Sequence, residues 1–482
     1  MLLSSIISQL IAIALSSSHW NLVLLSRISI ISLIYSIILT YNVYYVEIIG
    51  LGLGIYNGFL QVTSLTQFVD IFIFLLGILI LGITGFYHVD KDNSRELTSL
   101  YDFKQHLEYP VLSLFLLFGS QILVSSLNVI TFYLSLELQS FSLYILSSLR
   151  SSKQGLKYFL LGALSSCFIL LGFGLVYSYT GITSLESLAI FSKVNLNIYM
   201  QISLLICVLG ILFKIGIVPF HQWAIDVYDG VPTIITTWLT TLTKISLLIF
   251  LMEFIYHHSS ENWTTILMLL SVLSVIVGSL LGLSQSRIKR LLIYSMVSHV
   301  GFLMLSLSIM TEKSLEAFLF YLVQYSITNL NVFLILIAMG YFYKNPDSED
   351  SPIIYINSLR GLVRVQPLLS ICLAISLLSL GGIPPFIGFF GKLNILYSTI
   401  TQGYLFISIL LVLASVLSIS YYLKVVQLLF VGESSLSFRN IQISTYLSTL
   451  IGVLTLMIAM FLVNPDFILQ LINITICKYF IL

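Results

Sequence analysis

Charged side chains are scarce in this sequence. Asp, Glu, Lys and Arg make up 9% of the 482 residues, whereas they make up about 25% of an average soluble domain. The formal net charge is +1, so the overall charge gives no reason to expect nucleic acid or an acidic substrate as a partner. Because 58% of the residues are hydrophobic, the composition indicates a polytopic membrane protein with spans of about 20 residues each.

Cysteine pairs with metal-binding spacing are also missing. The sequence has no CxxC motif, and its cysteines lie far apart in apolar stretches, at Cys167, Cys207, Cys372 and Cys477. It therefore contains no recognisable zinc or iron–sulfur ligand set. It has no catalytic triad, haem-binding pair or flavin motif either. We expect a chain without a metal or cofactor of its own.

The first 20 residues lack the features of a removable leader. They contain an apolar run, but neither the basic region of a secretory signal nor the Arg-rich pattern of a transit peptide. We expect this stretch to form the first membrane span.

Long apolar segments account for most of the chain. The runs are continuous rather than alternating, which predicts helices, the form that satisfies every backbone polar group in lipid. The sequence thus predicts an all-α polytopic membrane protein with about 14 transmembrane helices. The segments lie near 2–18, 21–41, 68–88, 110–127, 128–149, 157–179, 202–225, 232–255, 263–283, 290–310, 315–343, 367–397, 404–430 and 444–463.

The basic residues between these segments are unevenly distributed. Connections that follow even-numbered segments, together with the C-terminal tail, hold only Lys193, Lys313 and Lys478. The positive-inside rule therefore places the connections after odd-numbered segments on the cytoplasm-like face, and both termini on the opposite face. Those connections hold Lys91, Arg95, Lys104, Arg150, Lys153, Lys157, Arg287, Lys289, Arg290, Lys344, Arg360, Arg364 and Arg439.

A few charges lie inside apolar segments, where each costs about 2.5 to 3.5 kcal/mol on insertion scales. Arg27 and Lys424 lie near segment ends, where a long side chain can reach the interface. The others are flanked by apolar sequence on both sides, which favours a functional role. They are Glu137, Lys214, Lys244 and Lys392.

Proline interrupts two of the segments. Pro219 lies in GIVPF at 216–220, and Pro384 and Pro385 lie in GIPPF at 382–386. Because proline removes a backbone donor and clashes with the preceding turn, we predict broken helices in segments 7 and 12. Broken helices at membrane depth line protein or a water-filled cavity. We therefore expect a polar cavity flanked by Lys214 and His221.

The two proline motifs lie five segments apart, each beside an intramembrane lysine. They predict two five-helix repeats, segments 4–8 and 9–13, and an odd number of helices per repeat inverts the second one. The predicted units are an N-terminal three-helix region, a first repeat, a second repeat, and a C-terminal helix with its tail. Their bounds are 1–109, 110–255, 256–431 and 432–482.

Titratable groups within the segments predict a proton relay. Burial lowers the pKa of a lysine and a nearby carboxylate raises it again, so a moving charge can switch the lysine. The alternative is structural: buried ion pairs and hydrogen bonds that fix helix packing. Candidate relay residues are Glu137, Lys214, Lys244, His299 and Lys392, and candidate proton-uptake or auxiliary residues are His221, Asp226, Asp229 and Lys424. For Asp229 we favour an acidic start to segment 8, where a carboxylate suits a helix N-terminus.

Several of these stretches resemble a known family. LSLELQSFSLYIL, FKIGIVPFHQWAIDVYDGVPT, IKRLLIYSMVSHVGF and GGIPPFIGFFGKL are similar to the chain 2 family of mitochondrial NADH:ubiquinone oxidoreductase, or respiratory complex I. The similarity runs from about Tyr109 to Val431, and the long N-terminal region is typical of fungal, plant or protist forms. That family is one of the antiporter-like proton-pumping types.

The resemblance implies a function and a setting. Glu137, Lys214, Lys244, His299 and Lys392 would carry protons from matrix to intermembrane space, driven by quinone reduction elsewhere in the complex. NADH, FMN, iron–sulfur clusters and ubiquinone would belong to partner subunits. Neighbouring membrane-arm subunits and bound phospholipids would surround the chain in the mitochondrial inner membrane, with both termini in the intermembrane space. The alternatives are a subunit of a multisubunit cation/proton antiporter and a purely structural membrane scaffold.

Overall fold

A computed structural model of the chain describes residues 1–15, 22–44, 52–84, 89–90, 107–194, 198–258, 261–342, 353–432 and 441–480. Helices dominate these residues, as predicted. In chain order they are α1 (Leu2–Leu15), α2 (Leu22–Tyr44), α3 (Ser64–Thr84), α4 (Tyr109–Val124), α5 (Val129–Ser148), α6 (Ser152–Thr180), α7 (Leu185–Val194), α8 (Ile198–Ile215), α9 (Gln222–Gly230), α10 (Thr233–Thr240), α11 (Leu242–His258), α12 (Glu261–Leu283), α13 (Ile288–Ile309), α14 (Glu312–Gly340), α15 (Pro367–Gly381), α16 (Ile387–Thr401), α17 (Leu405–Phe430), α18 (Thr445–Ala459) and α19 (Asp466–Phe480).

Four very short strands supplement the helices. β1 (Leu53–Ile55) pairs antiparallel with β2 (Leu60–Val62), and β3 (Val89–Asp90) pairs with β4 (Ile441–Gln442). The second pair connects the chain just after α3 with the segment just before α18. These strands are accessory, and the all-α membrane class predicted from the sequence is confirmed.

Each predicted apolar segment coincides with one or two helices. Eleven stretches of the described chain are long and apolar enough to cross a membrane, and α1, α4 and α15 are shorter apolar helices. Segment 7 is divided into α8 and α9, and segment 12 into α15 and α16, so both predicted helix breaks are confirmed. The number of membrane crossings and the inverted repeat remain predictions.

Three features were not predicted. Segment 8 is also divided, at Thr241, into α10 and α11. α7 is a helix of 10 residues with an acidic first turn and a basic last turn, too short to cross a membrane. α19 follows α18 near the end of the chain.

The basic loop residues predicted for one membrane face fall partly outside the described residues. Lys91, Arg95, Lys104, Lys344 and Arg439 lie there, and of the residues predicted for the opposite face the side chain of Lys478 does as well.

Burial separates inner helices from outer ones. An 18-residue stretch within Thr233–His257, the segment that spans α10 and α11, is fully buried, and 94% of the residues in the corresponding stretch of α14 are buried. By contrast, α6 is 39% and α17 is 33% buried, so their apolar outer faces suit lipid or neighbouring subunits. The buried lysine Lys244 and the buried His299 therefore lie on inner helices, α11 and α13.

Candidate functional site

The first helix break is closed by a glycine turn. α8 ends at Ile215, and Gly216 follows in the left-handed region with φ of 80°. The backbone N–H groups of Gly216 and Ile217 both donate to Leu212 O, at 3.0 and 3.3 Å. Such a turn satisfies only some of the last carbonyls of a helix. The chain then passes through Pro219 before α9 begins at Gln222.

The ammonium group of Lys244 binds one of the helix-end carbonyls that this turn leaves unsatisfied. Its Nζ donates to Ile215 O, across from α11 to the end of α8. The same Nζ lies 5.9 Å from the ring centre of Trp223 and 5.8 Å from that of Tyr228. A carbonyl oxygen and two ring faces are all negative ends of dipoles, so the Lys244 ammonium is surrounded by negative partial charge. Lys244 itself is only 2% exposed.

Trp223 links the surroundings of the Lys244 ammonium to Lys214. Its Nε1–H donates to Phe213 O at 2.9 Å, the carbonyl directly before Lys214. The indole stacks on Tyr158, with centroids 5.6 Å apart, and meets Tyr228 edge-on at 5.9 Å. The ring that faces Lys244 is therefore anchored to the helix end that carries Lys214.

Lys214 and Glu137 form a buried ion pair. Lys214 Nζ lies 3.8 Å from Glu137 Oε1, and the side chains are 8% and 13% exposed. Neither of these two atoms has a hydrogen-bond partner, while Glu137 Oε2 accepts a hydrogen bond from Ser140 Oγ at 3.2 Å. At this separation a small side-chain movement makes or breaks direct contact, so the pair is loosely held.

The second helix break has the same construction. α15 ends at Gly381, and Gly382 follows with φ of 85°. The N–H groups of Gly382 and Ile383 donate to Leu378 O, at 3.1 and 3.2 Å. Lys392 Nζ, from α16, donates to Gly381 O at 2.6 Å and lies 5.7 Å from the ring centre of Phe302. In both breaks a lysine therefore binds the carbonyl that directly precedes the left-handed glycine.

His299 is held between two tyrosines. Its Nδ1 lies 2.6 Å from Tyr321 Oη, and its Nε2 lies 3.3 Å from Tyr422 Oη. The ring of Tyr321 also lies against Gly391, where an added Cβ would be 2.8 Å from Tyr321 Cδ2. Tyr321 thus connects His299 with the turn of α16 that carries Lys392.

The auxiliary candidates are placed less uniformly. Asp226 pairs with Lys157 at 3.4 Å near the surface. His221 is 7% exposed, and its Nδ1 has no hydrogen-bond partner. Lys424 is exposed on α17 and is not brought to the other candidates.

The interpretation of Asp229 as a helix-start carboxylate is wrong. Asp229 lies in the last turn of α9 rather than at the start of α10. Its Oδ2 accepts hydrogen bonds at 2.8 Å from Arg287 Nη1 and from Arg290 Nε. The carboxylate is 8% exposed, so it ties α9 to the start of α13.

The predicted polar cavity beside the first break differs from the observed one. A cavity of about 410 Å³ adjoins Pro219. Its walls are mainly aromatic and aliphatic, from Phe213, Phe220 and Trp223, with Lys157 and Asp226 as the charged pair. Neither Lys214 nor His221 lines it, because both side chains are packed between helices.

Sequence reasoning missed three buried charged residues. Lys289, assigned to a loop, is 3% exposed and donates to Val231 O at 2.8 Å. Asp70, on α3, is 2% exposed, and Glu253 is partly buried on α11. A signal existed for the two acids, since both lie inside predicted apolar segments, as Glu137 does. Among the described residues, no group of His, Cys, Asp or Glu is placed to hold a metal ion.

Sequence comparison relates the chain to membrane subunits of respiratory enzymes. The profile of the family described as "NADH:quinone oxidoreductase/Mrp antiporter, TM" matches residues 126–418. NADH-ubiquinone oxidoreductase chain 2 of Rhizopus oryzae is 42% identical, over 98% of each chain. NADH-quinone oxidoreductase subunit N of a Wolbachia species from Brugia malayi is 38% identical, over 72% of this chain and 76% of the relative.

Solved structures share the fold. A chain of respiratory complex I from Thermus thermophilus has a TM-score of 0.78 at 25% identity, with 98% of this chain and 99% of that chain covered. A chain of the Mrp complex from a Dietzia species has a TM-score of 0.79 at 16% identity, with coverage of 99% and 96%. At 16% identity the second likeness concerns the fold alone.

Proposed function

The chain belongs to the NADH:quinone oxidoreductase/Mrp antiporter family, and on this premise we propose that it is a proton-translocating membrane-arm subunit of mitochondrial NADH:ubiquinone oxidoreductase. The near full-length similarity to the Rhizopus chain 2 supports this assignment. The relative is an NADH-ubiquinone oxidoreductase chain of a fungus, which supports a multi-pass protein of the mitochondrial inner membrane.

One observation carries the proposal. Lys244 and Lys392 bind the carbonyls that end α8 and α15, each directly before a left-handed glycine. Each ammonium is held by dipoles rather than by a carboxylate, and a lysine so placed changes its charge state with small changes in its surroundings. Two such sites on inner helices form a suitable frame for moving protons.

The proposed relay runs through buried groups in both predicted repeats. Glu137 holds Lys214 charged when the two approach. The anchored ring of Trp223 connects their region with Lys244, and His299 with its tyrosines leads toward Lys392. Protons would pass from the matrix to the intermembrane space, and both chain termini would lie on the latter side. His221, Asp226 and Asp229 stand at the side of the first break and are candidate uptake groups.

The driving force would come from partner subunits. NADH, FMN, iron–sulfur clusters and ubiquinone would be bound there, and the chain would respond to quinone reduction through neighbouring membrane-arm subunits. The lipid-facing sides of α6 and α17 offer surfaces for those subunits and for phospholipids.

A lysine substitution in the assembled complex tests the proposal. Lys244→Met removes the charge but keeps an apolar side chain of similar length, so proton pumping per NADH should fall steeply. Lys313→Met is the matched control, because Lys313 also lies over an aromatic ring, 5.7 Å from that of Tyr397, but near the surface. Equal pumping in both variants would contradict the proposal.

A subunit of a multisubunit cation/proton antiporter is the second candidate, supported by the shared fold of the Dietzia Mrp chain. The partners of the purified complex separate the two. Flavin and iron–sulfur subunits that co-migrate with the chain favour the oxidoreductase, and a complex that lacks them favours the antiporter.

A further inference from the structure

A cavity of about 540 Å³ lies where α11 ends, beside the short helix α7. Its position is at the opposite end of the α10–α11 segment from Asp229. Four titratable side chains line the cavity: α11 contributes Glu253 and His257, and α7 contributes Glu186 and Lys193. Three of these four side chains are exposed and Glu253 is partly buried, so Glu253 is the innermost titratable group. The relay described above uses none of them.

One face of α11 leads from this cavity into the protein. Ser246, Phe250, Glu253 and His257 follow one another at spacings of four, three and four residues, which places them along one stripe of a helix. Glu253 lies about 10.5 Å from Ser246 along the helix axis. The stripe therefore runs from the membrane face to the depth of Lys244, two residues before Ser246.

The inner end of the stripe is polar. Gln139 Nε2 donates to Ser246 Oγ at 2.9 Å, and both residues are buried. Gln139 follows Glu137 by two residues on α5. The amide and hydroxyl thus lie at the same depth as Glu137 and Lys244.

Two stacked rings separate the polar inner end from the cavity. Phe250 packs on Phe132 of α5 with centroids 3.8 Å apart and planes at 17°. Phe250 is 1% and Phe132 is 0% exposed. Phe250 also contributes to the cavity wall, so the Phe132–Phe250 stack lies between the cavity and the buried Gln139–Ser246 pair.

We propose that the cavity is a proton-release vestibule of the first repeat unit, with Glu253 as its inner proton acceptor and the Phe132–Phe250 stack as the barrier that isolates it from Lys244. A carboxylate facing water can accept a proton from within and pass it to His257 or to solvent. Two closely stacked rings exclude water and so prevent a continuous proton path until they separate. This inference rests on the proposed function, and on the predicted orientation the vestibule opens to the intermembrane space.

The barrier can be tested in the intact complex reconstituted into liposomes. Phe250→Ala removes one ring of the stack, and we expect a proton leak: the pH gradient formed on NADH oxidation should be largely lost while quinone reduction continues. Phe254→Ala is the matched control. Phe254 lies one turn further along α11 and lines the same cavity. Its ring packs on Phe250 and Phe173, at 6.0 and 6.2 Å, and is not a member of the Phe132–Phe250 stack, so its loss enlarges the vestibule and leaves the stack in place.

The carboxylate is tested in the same assay with Glu253→Gln, which keeps the size of the side chain. Added to Phe250→Ala it should reduce the leak, and alone it should slow pumping in a complex that assembles normally, whereas Glu186→Gln at the exposed rim should do neither. A Phe250→Ala complex as proton-tight as Phe254→Ala, or a Glu253→Gln complex that pumps like the wild type, overturns the inference. If the proposed function itself is at fault, Lys244→Met pumps normally, which is a separate result.

Discussion

At the scale of single residues, the partners of a buried charged side chain determine how firmly that side chain is held. Asp229 is held by two arginines at 2.8 Å, an arrangement that fixes the position of its carboxylate. Glu137 and Lys214 stand 3.8 Å apart with unsatisfied atoms facing each other. The carboxylate of Asp229 is therefore held firmly in place, whereas the side chains of Glu137 and Lys214 are loosely held.

The Glu137–Lys214 pair should behave as one functional unit. Glu137→Gln and Lys214→Met each leave a buried group without its partner, an arrangement that costs about 3 to 5 kcal/mol for a buried pair. Each single variant should therefore lose most proton pumping in assembled complex. The double variant should be little worse than either single one, because the two residues serve one step.

The measurement is proton pumping alongside the NADH:quinone reductase rate. Strictly additive losses, or two single variants that pump normally, would make the pair structural and would refute its place in the relay.

Substitution of Trp223 should affect proton pumping more than the burial of this side chain suggests. Trp223→Phe keeps a ring but loses the hydrogen bond to Phe213 O and weakens the contact with the Lys244 ammonium, which is worth about 0.5 to 2 kcal/mol. We expect slower pumping and an altered pH profile of pumping, with assembly retained.

Trp238→Phe provides the comparison. Trp238 is 0% exposed and donates a single hydrogen bond through Nε1 to Tyr109 Oη at 2.9 Å, so its substitution removes an equivalent bond from a different environment. If both variants change the pH profile equally, the effect of Trp223 is one of packing rather than of contact with Lys244.

Sequence alone located most of the charged residues but not the backbone carbonyls that some of them bind. Lys214, Lys244 and Lys392 stand out because charge in an apolar segment is expensive. Their partners could not be predicted where the partner is a backbone carbonyl, as for Lys244 and Ile215 O, since every residue has a carbonyl and only tertiary packing selects one. Lys289 was missed for the opposite reason, because a lysine beside a loop is ordinarily solvated.

At the scale of helices, two kinds of interruption are present. Proline and glycine mark the breaks after Ile215 and Gly381, and the sequence motif predicts both. The division at Thr241 has no proline. There the hydroxyl groups of Thr240 and Thr241 donate to the carbonyls of Thr236 and Thr237 at 2.8 and 2.6 Å. Such bonds to carbonyls of the preceding turn bend helices, but threonine occurs in too many straight helices for this effect to be predicted.

The glycine turn at the second break should be sensitive to a single methyl group. Gly382→Ala forces a left-handed alanine, which costs about 1 to 2 kcal/mol, and places a Cβ 2.9 Å from Lys392 Cδ. We expect lower stability of the complex and displacement of Lys392 from Gly381 O, measured as reduced pumping per NADH oxidised.

Gly403→Ala is the control for strain alone. Gly403 has a φ of 84°, close to that of Gly382, but an added Cβ meets nothing within 4 Å. It should share the loss of stability and keep the pumping ratio. A Gly382→Ala complex with a normal ratio would show that the position of Lys392 at the carbonyl is not needed.

At the scale of the whole molecule, ion pairs connect the two predicted repeats. Asp229 belongs to the first unit, and Arg287 and Arg290 belong to the second. The three residues lie in or beside connections that the charge asymmetry assigns to the matrix face. The three side chains therefore fix α9 to the start of α13 at that predicted face.

The orientation is open to direct measurement. A cysteine at Ser284, which is exposed in the connection between α12 and α13, should react with a membrane-impermeant maleimide only from the matrix side. A cysteine at Lys313, exposed at the start of α14, should react only from the intermembrane side. The reverse pattern would refute the predicted orientation of the chain in the membrane.

The two ends of the chain pack against each other. Tyr446 Oη, on α18, donates to Ile78 O of α3 at 3.4 Å across 368 residues of sequence, and Gly82 leaves room for the same ring. At a synthesis rate of about 5 to 20 residues per second, α3 leaves the ribosome roughly 20 to 70 seconds before α18 exists. During that interval the side of α3 that carries Ile78 and Gly82 lacks its α18 neighbour, and a chain that stops before α18 never gains it. The packing of α18 on α3 therefore forms only when nearly the whole chain has been made.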